Sequence, residues 1–363
     1  MTAETDRRFM AAAIRLSRRN LGLTATNPSV GTLVVRDGVV VGRGVTALGG
    51  RPHAEPQALA EAGDLAKGAT AYVTLEPCAH HGRTPPCADA LVKAGIVRVV
   101  GAASDPDARV SGKGYAILRA AGIEVVEGVE TVAAADLMAG YLTRSLRKRP
   151  EITLKIAVSA DGMIGRKGEG QVAITGTVAR GQVHLMRAEA DAILVGVGTA
   201  LADDPELTCR LPGLEARSPV RIVLDRSLQL PPGSKLAMSA RAVPMLVAAA
   251  ADADASRRAA LGRQGVGFLA VETHEGCIAL PELLEDLAAK GFMTVLIEGG
   301  AETARQFLAE DLVDRLALFA GPKRIGEGGI VSPVDPVNPP PGFLRTREAT
   351  FGEDGYFEYV RER

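Results

Sequence analysis

Short apolar runs recur along almost the whole chain and, after an opening hairpin, alternate with segments that read as helix or loop. That alternation restricts the fold to an α/β class, helices layered on a sheet. Residues around Phe9, Ala13 and Leu16 have helical spacing, and "NPSVGTLVV" and "VVVGRGV" flank the turn "RDG" as a hairpin. A helix from His53, strand "ATAYVTL", a helix from about Pro86, strand "VRVVGAAS", a helix from about Gly112 and strand "IEVVEG" follow. The helical stretch from Thr131 ends in the basic run "RSLRKRP", closed by Pro150, and the alternation then restarts. "ITLKIAVS", "AILVGV", "VRIVLD", "VPMLVAA", "VGFLAV", "TVLIEGG" and "RLALFAG" form a second α/β set, with "FEYVRER" expected as an edge strand and "PVDPVNPPPG" as a surface loop. A chain of 363 residues exceeds one ordinary core, so two domains are expected, 1–148 and 149–363.

Acidic and basic residues nearly cancel, 43 against 42, which leaves no broad field to draw the protein to nucleic acid or an anionic membrane. A small-molecule substrate fits better. No apolar run approaches the roughly twenty residues of a membrane helix, and "MTAETDRRFM" lacks the apolar core of a signal peptide, so a cytoplasmic protein is expected. Cys78, Cys87, Cys209 and Cys277 are scattered, unlike a disulfide framework.

The close cysteine pair belongs to a denser stretch. His53, Glu55, Cys78, His80, His81 and Cys87 fall within thirty-five residues. Zinc with an open position takes three protein ligands and a water; His53, Cys78 and Cys87 supply those three, and Glu55, at a helix start, is placed to carry protons. His-x-Glu followed by Pro-Cys is the known pattern of zinc deaminases. A structural zinc would need a fourth ligand from His80 or His81, and would leave Glu55 without a task. Those histidines, with "GRTPP", are expected in the loop over the pocket.

Eight residues, "AHHGRTPP", separate the two cysteines, with "TNPSVG" upstream and "LADDPELTCR" downstream. With these motifs the chain resembles, over nearly its whole length, the bifunctional riboflavin-biosynthesis deaminase/reductases of bacteria. The resemblance implies a cytidine-deaminase-like three-layer sandwich followed by a dihydrofolate-reductase-like domain. It implies zinc-dependent removal of an amino group from a diaminopyrimidinone ribotide, then NADPH-dependent reduction of ribosyl to ribityl. Asn27, Ser29 and His80 would lie near the first substrate, although Asn27 and Ser29 equally suit a turn before a strand.

For the second domain the sequence itself offers Gly299 and Gly300 between an apolar strand and a helix, a geometry that suits a phosphate and equally a tight turn. The resemblance assigns cofactor contacts to Val158, Ala173, Thr199, Asp203, Gly300, Ala301, Glu302, Thr303, Ala304, Arg305 and Gln306. It assigns substrate contacts to Lys155, Gln171, Arg187, Leu207, Arg210 and Glu298, with Lys155, Asp203 and Glu298 as the candidates for proton transfer. One segment departs from the family. Where relatives carry Ser-Gln-Trp-Ile-Thr this chain reads "QVAIT", so Gln171 and Ala173 replace the serine and tryptophan, and the chain has no tryptophan at all. The departure motivates an alternative, a deaminase whose second domain does not reduce. A homo-oligomer is expected by analogy with both folds.

Overall fold

The computed structural model describes residues 2–81, 85–107 and 109–362. The chain divides into two units, Met1–Lys148 and Arg149–Arg363.

The first unit runs α1 (Ala3–Ser17), β1 (Gly31–Arg36), β2 (Val39–Val45), α2 (Ala54–Ala62), β3 (Thr70–Leu75), α3 (Cys87–Lys93), β4 (Arg98–Ala103), α4 (Lys113–Ala120), β5 (Glu124–Val126), α5 (Thr131–Leu137) and α6 (Ala139–Arg147). Its sheet has the order β2-β1-β3-β4-β5, antiparallel at the hairpin end and parallel from β3 onward. Both faces are covered at very close range. A Cβ on Gly31 would lie 2.2 Å from the Ala13 carbonyl oxygen of α1, and one on Gly44 would lie 1.9 Å from the Ala54 carbonyl oxygen of α2. Gly44 pairs with Thr32, the neighbour of Gly31, so the two glycines face opposite sides of the sheet and three layers result. The core gathers Met10, Val34, Tyr72, Val73, Leu91 and Val100, all fully buried. The helix expected from Thr131 to the basic run is two helices, meeting at Met138.

The second unit runs β6 (Glu151–Val158), β7 (Met163–Arg166), α7 (Thr177–Glu189), β8 (Ala192–Gly196), α8 (Val197–Asp203), β9 (Val220–Leu224), α9 (Lys235–Met238), β10 (Met245–Ala250), α10 (Ala255–Arg263), β11 (Gly267–Val271), β12 (Thr273–His274), β13 (Cys277–Ile278), α11 (Leu280–Ala289), β14 (Thr294–Glu298), α12 (Ala301–Ala309), β15 (Arg315–Ala320), β16 (Gly329–Val331), β17 (Phe343–Phe351) and β18 (Asp354–Arg361). The main sheet has the order β11-β10-β9-β8-β14-β6-β15-β18-β17, parallel up to β15 and antiparallel beyond it. "FEYVRER" forms most of β18, which is not the edge strand expected: β17 covers it. The sequence hid β17 because most of its residues are exposed and polar, so no apolar alternation marks it.

The topology itself locates a crevice. From β8 the chain passes through α8 outward to β9, whereas from the adjacent β14 it passes through α12 to β15 on the far side of β6. Two neighbouring parallel strands thus send their chains in opposite directions, and a gap opens beyond their carboxyl ends.

Candidate active sites

In the first unit, close packing of α2 on β2 fixes where α2 begins, with His53 as its N-cap and Glu55 in its first turn. Cys78 lies in the loop after β3, and Cys87 opens α3. His53 Nδ1 lies 3.8 Å from the Cys78 sulfur and 3.4 Å from the Cys87 sulfur. The Cys87 backbone N–H, at a helix N-terminus, donates to the Cys78 sulfur at 3.2 Å. One ligand atom from each of His53, Cys78 and Cys87 falls within 4.8 Å of the others, and neither cysteine is in a disulfide. His80 and His81 are not part of that group. Two thiols and an imidazole at this spacing are a zinc donor set with no fourth protein ligand among the described residues.

The electrostatics match. The Cys87 thiol and backbone and the His53 ring push the Cys78 thiol down to about 4, while the neighbouring Cys78 and burial push Cys87 up. A metal would resolve that conflict by taking both as thiolates. Glu55 is buried, 3% exposed, and burial followed by the charge of Cys78 raises its carboxyl above the ordinary value. A buried carboxyl beside the donor set is placed to carry a proton.

Supporting residues escaped the sequence reading. Buried Glu76 accepts from the backbone N–H groups of Gly112 and Gly114, both at 3.0 Å, and so ties the strand end before Pro77 and Cys78 to the start of α4. Asp105 accepts from the Tyr141 hydroxyl at 2.8 Å, and burial raises its carboxyl. Ser29 is buried and donates its hydroxyl to the Ser17 carbonyl at the end of α1, at 2.6 Å. Asn27 sits in a turn closed by Thr24, its amide facing Gly50 just ahead of His53. The His80 Nδ1 is buried and has no hydrogen-bond partner among the described residues. Gly82, Arg83 and Thr84 of "GRTPP" lie outside the described residues.

In the second unit a cleft of about 1160 Å³ lies at the crevice. Lys155, Gln171, Ala173, Arg187, Thr199, Asp203, Leu207, Arg210, Glu298, Gly300, Ala301, Glu302, Thr303, Arg305 and Gln306 all line it. Val158 and Ala304 do not: both side chains are packed in the core, so neither offers a side-chain contact to a cofactor. Lys155 and Glu298 are direct neighbours on β6 and β14, 3.9 Å apart. Arg187, from α7, donates to both Glu298 oxygens, at 2.6 and 2.9 Å, and to the Thr208 carbonyl at 2.9 Å. Burial works against the Glu298 charge, but Arg187 and Lys155 outweigh it and hold the carboxyl below its ordinary value; burial lowers Lys155. Burial also raises Asp203.

Thr199 Oγ1 accepts from the Gly300 N–H at 2.8 Å, joining the start of α8 to that of α12 across the crevice. A Cβ on Gly300 would lie 2.9 Å from that oxygen, so a glycine here lets the Thr199 hydroxyl approach the backbone at the α12 N-terminus. Gln171 and Ala173, where the family's serine and tryptophan are replaced, are exposed on the cleft. His184, which the sequence reading passed over, also lines it, its Nδ1 3.2 Å from the Thr208 carbonyl oxygen.

Fold and sites together define a zinc-dependent deaminase joined to a nucleotide-cofactor reductase. Residues 3–103 match the cytidine and deoxycytidylate deaminase zinc-binding region, and residues 150–353 match the RibD C-terminal domain. The riboflavin biosynthesis protein RibD of Aquifex aeolicus is 41% identical over 328 residues, covering 90% of each chain. That of Escherichia coli is 39% identical over 333 residues, covering 88% of this chain and 89% of its own. The solved structure of Acinetobacter baumannii RibD superposes over 100% of both chains with a TM-score of 0.86 at 35% identity. The Thermotoga maritima diaminohydroxyphosphoribosylaminopyrimidine deaminase/5-amino-6-(5-phosphoribosylamino)uracil reductase does so over 99% of both, with a TM-score of 0.86 at 33% identity. The chain belongs to the RibD family of riboflavin-biosynthesis proteins. It is a bifunctional deaminase and reductase, with zinc and NADPH as its cofactors.

Proposed function

We propose that residues 1–148 remove the 2-amino group of the diaminopyrimidinone ribotide by hydrolysis, and that residues 149–363 reduce the ribosyl side chain of the resulting aminouracil ribotide to ribityl. The observation that carries this reading is buried Glu55 beside three converging zinc donors, a carboxylate that the metal does not need as a ligand. His53, Cys78 and Cys87 would hold the zinc, which when bound would supply the Lewis acidity that makes the attacking water a stronger acid. Glu55 takes the proton from that water at a carboxylate oxygen and gives it to the ring nitrogen; a second transfer lets the amino group leave as ammonia.

In the cleft, NADPH supplies the hydride. Gly300 and the start of α12 are assigned to its phosphates, Thr199, Asp203 and Ala173 to its nicotinamide half. Arg210 is assigned to the ribotide phosphate, with Leu207 and Gln171 beside the substrate. The buried Lys155–Glu298–Arg187 cluster is assigned to the sugar, where ring opening requires proton transfers. The protein is further assigned to the cytoplasm as a homo-oligomer acting on small molecules, without a nucleic-acid or membrane partner; its free cysteines, the near balance of its charges and the lack of a membrane-length apolar helix among the described residues support this.

Product masses after incubating the zinc-loaded protein with the diaminopyrimidinone ribotide test the reading. Deaminated ribotide without NADPH, and deaminated plus reduced ribotide with it, are expected. Deaminated product alone in both would show that the Gln171/Ala173 departure has removed the second step.

A further inference from the structure

Arg221, on β9, is 0% exposed. A buried guanidinium ordinarily meets a carboxylate, because the loss of hydration is otherwise poorly compensated. Here its acceptors are neutral. One terminal nitrogen donates to the Glu206 carbonyl at 3.3 Å and to the Ser239 hydroxyl at 2.7 Å; the other donates to the Val243 carbonyl at 2.5 Å, and Nε has no partner among the described residues. Burial pushes the group down to about 10, which leaves it charged at neutral pH.

The chain at Glu206 is unusual. The next residue, Leu207, is buried against the cleft with φ of 56°, a left-handed conformation that a leucine adopts only when its surroundings impose it. The Glu206 side chain in turn accepts from Arg210 at 2.9 Å. The Glu206 peptide is therefore held from inside by Arg221, while its carboxylate orients Arg210 on the cleft wall.

We propose that Arg221 is a positioning residue of the reductase site: by holding the Glu206 carbonyl it fixes the turn that presents Leu207 and Arg210 to the phosphorylated substrate. The proposal rests on the assignment of Arg210 to the ribotide phosphate. It explains why a buried cation is kept among neutral acceptors, since a merely well-packed apolar side chain there would not reach the Glu206 carbonyl. A small displacement of a binding group is enough to alter substrate handling substantially.

The test compares Arg221→Lys, Ser239→Ala and Arg210→Ala in the full chain. It measures KM and kcat for the deaminated ribotide, NADPH affinity from cofactor fluorescence, and thermal stability. Lysine keeps the charge but cannot span the three acceptors. Arg221→Lys should raise KM for the ribotide about tenfold, with kcat changed less than about threefold and NADPH affinity within about twofold. Ser239→Ala, which removes the other acceptor of the nitrogen that reaches the Glu206 carbonyl but leaves the guanidinium and that carbonyl in place, should lower the melting temperature and leave KM unchanged. An unchanged KM in Arg221→Lys, or an equal rise in Ser239→Ala, overturns the proposal. If Arg210→Ala raises KM while Arg221→Lys does not, positioning alone fails; if Arg210→Ala leaves KM unchanged, the phosphate assignment fails and takes the proposal with it.

Discussion

At the scale of single residues, Glu55 separates a catalytic zinc from a structural one. Its side chain is buried beside the three donors, yet those donors form a group without it. Glu55→Gln keeps size and hydrogen-bonding reach while removing the transferable proton. We expect full zinc content by atomic absorption and deamination slower by about 10²–10⁴, the usual contribution of a general acid–base group. Zinc loss in that variant would instead make Glu55 a ligand. His53, Cys78 and Cys87 could be read from sequence because they fall within one short stretch and carry metal-binding chemistry of their own. Glu76 and Arg221 could not: their partners are backbone groups of distant segments, Gly112 and Gly114 in one case and Glu206 in the other, and no spacing encodes such a contact.

At the scale of elements, the first unit depends on how closely its helices approach the sheet. Gly44 lets α2 lie with the Ala54 carbonyl 1.9 Å from where a Cβ would be, and α2 carries both His53 and Glu55. Gly44→Ala must push α2 outward; overpacking of this kind costs about 1–3 kcal/mol, and zinc retention after dialysis should fall together with the melting temperature. On the opposite face α1 is tied by charge. Asp6 accepts from Arg98 through both oxygens at 2.8 Å and from the Tyr72 hydroxyl at 2.8 Å. Arg98, then Tyr72, holds its carboxyl below the ordinary value despite burial. A depressed carboxyl contributes stability above its unfolded value, near 4, and loses it as pH falls through the lower folded value. Asp6→Asn should therefore destabilise the protein at pH 7 by about 1.5–3 kcal/mol, with the deficit shrinking below about pH 4 in urea unfolding of parent and variant. The order of these elements was legible because apolar strands announce themselves; the edge strand β17 was not, being mostly exposed and polar.

At the scale of the whole molecule, the two units have separate hydrophobic cores. One gathers around Tyr72 and Val100, and the others lie entirely among residues of the second unit. The two α/β sets on either side of the basic run at 144–149 are visible in the sequence, whereas the crevice is not, since it arises from strand order rather than from any residue type. The zinc donors all precede Lys93, and the described lining of the reductase cleft begins at Lys155. Zinc removal should then separate the activities. A chelator applied to the intact chain should abolish release of ammonia from the diaminopyrimidinone ribotide, and added zinc should restore it. Oxidation of NADPH by separately supplied deaminated ribotide should keep its rate throughout, because Lys155, Glu298 and Arg187 are held by one another and by their own sheet. Parallel loss of both activities on chelation would mean that the metal supports the fold of the second unit, and would make the autonomy of the two cores the wrong inference.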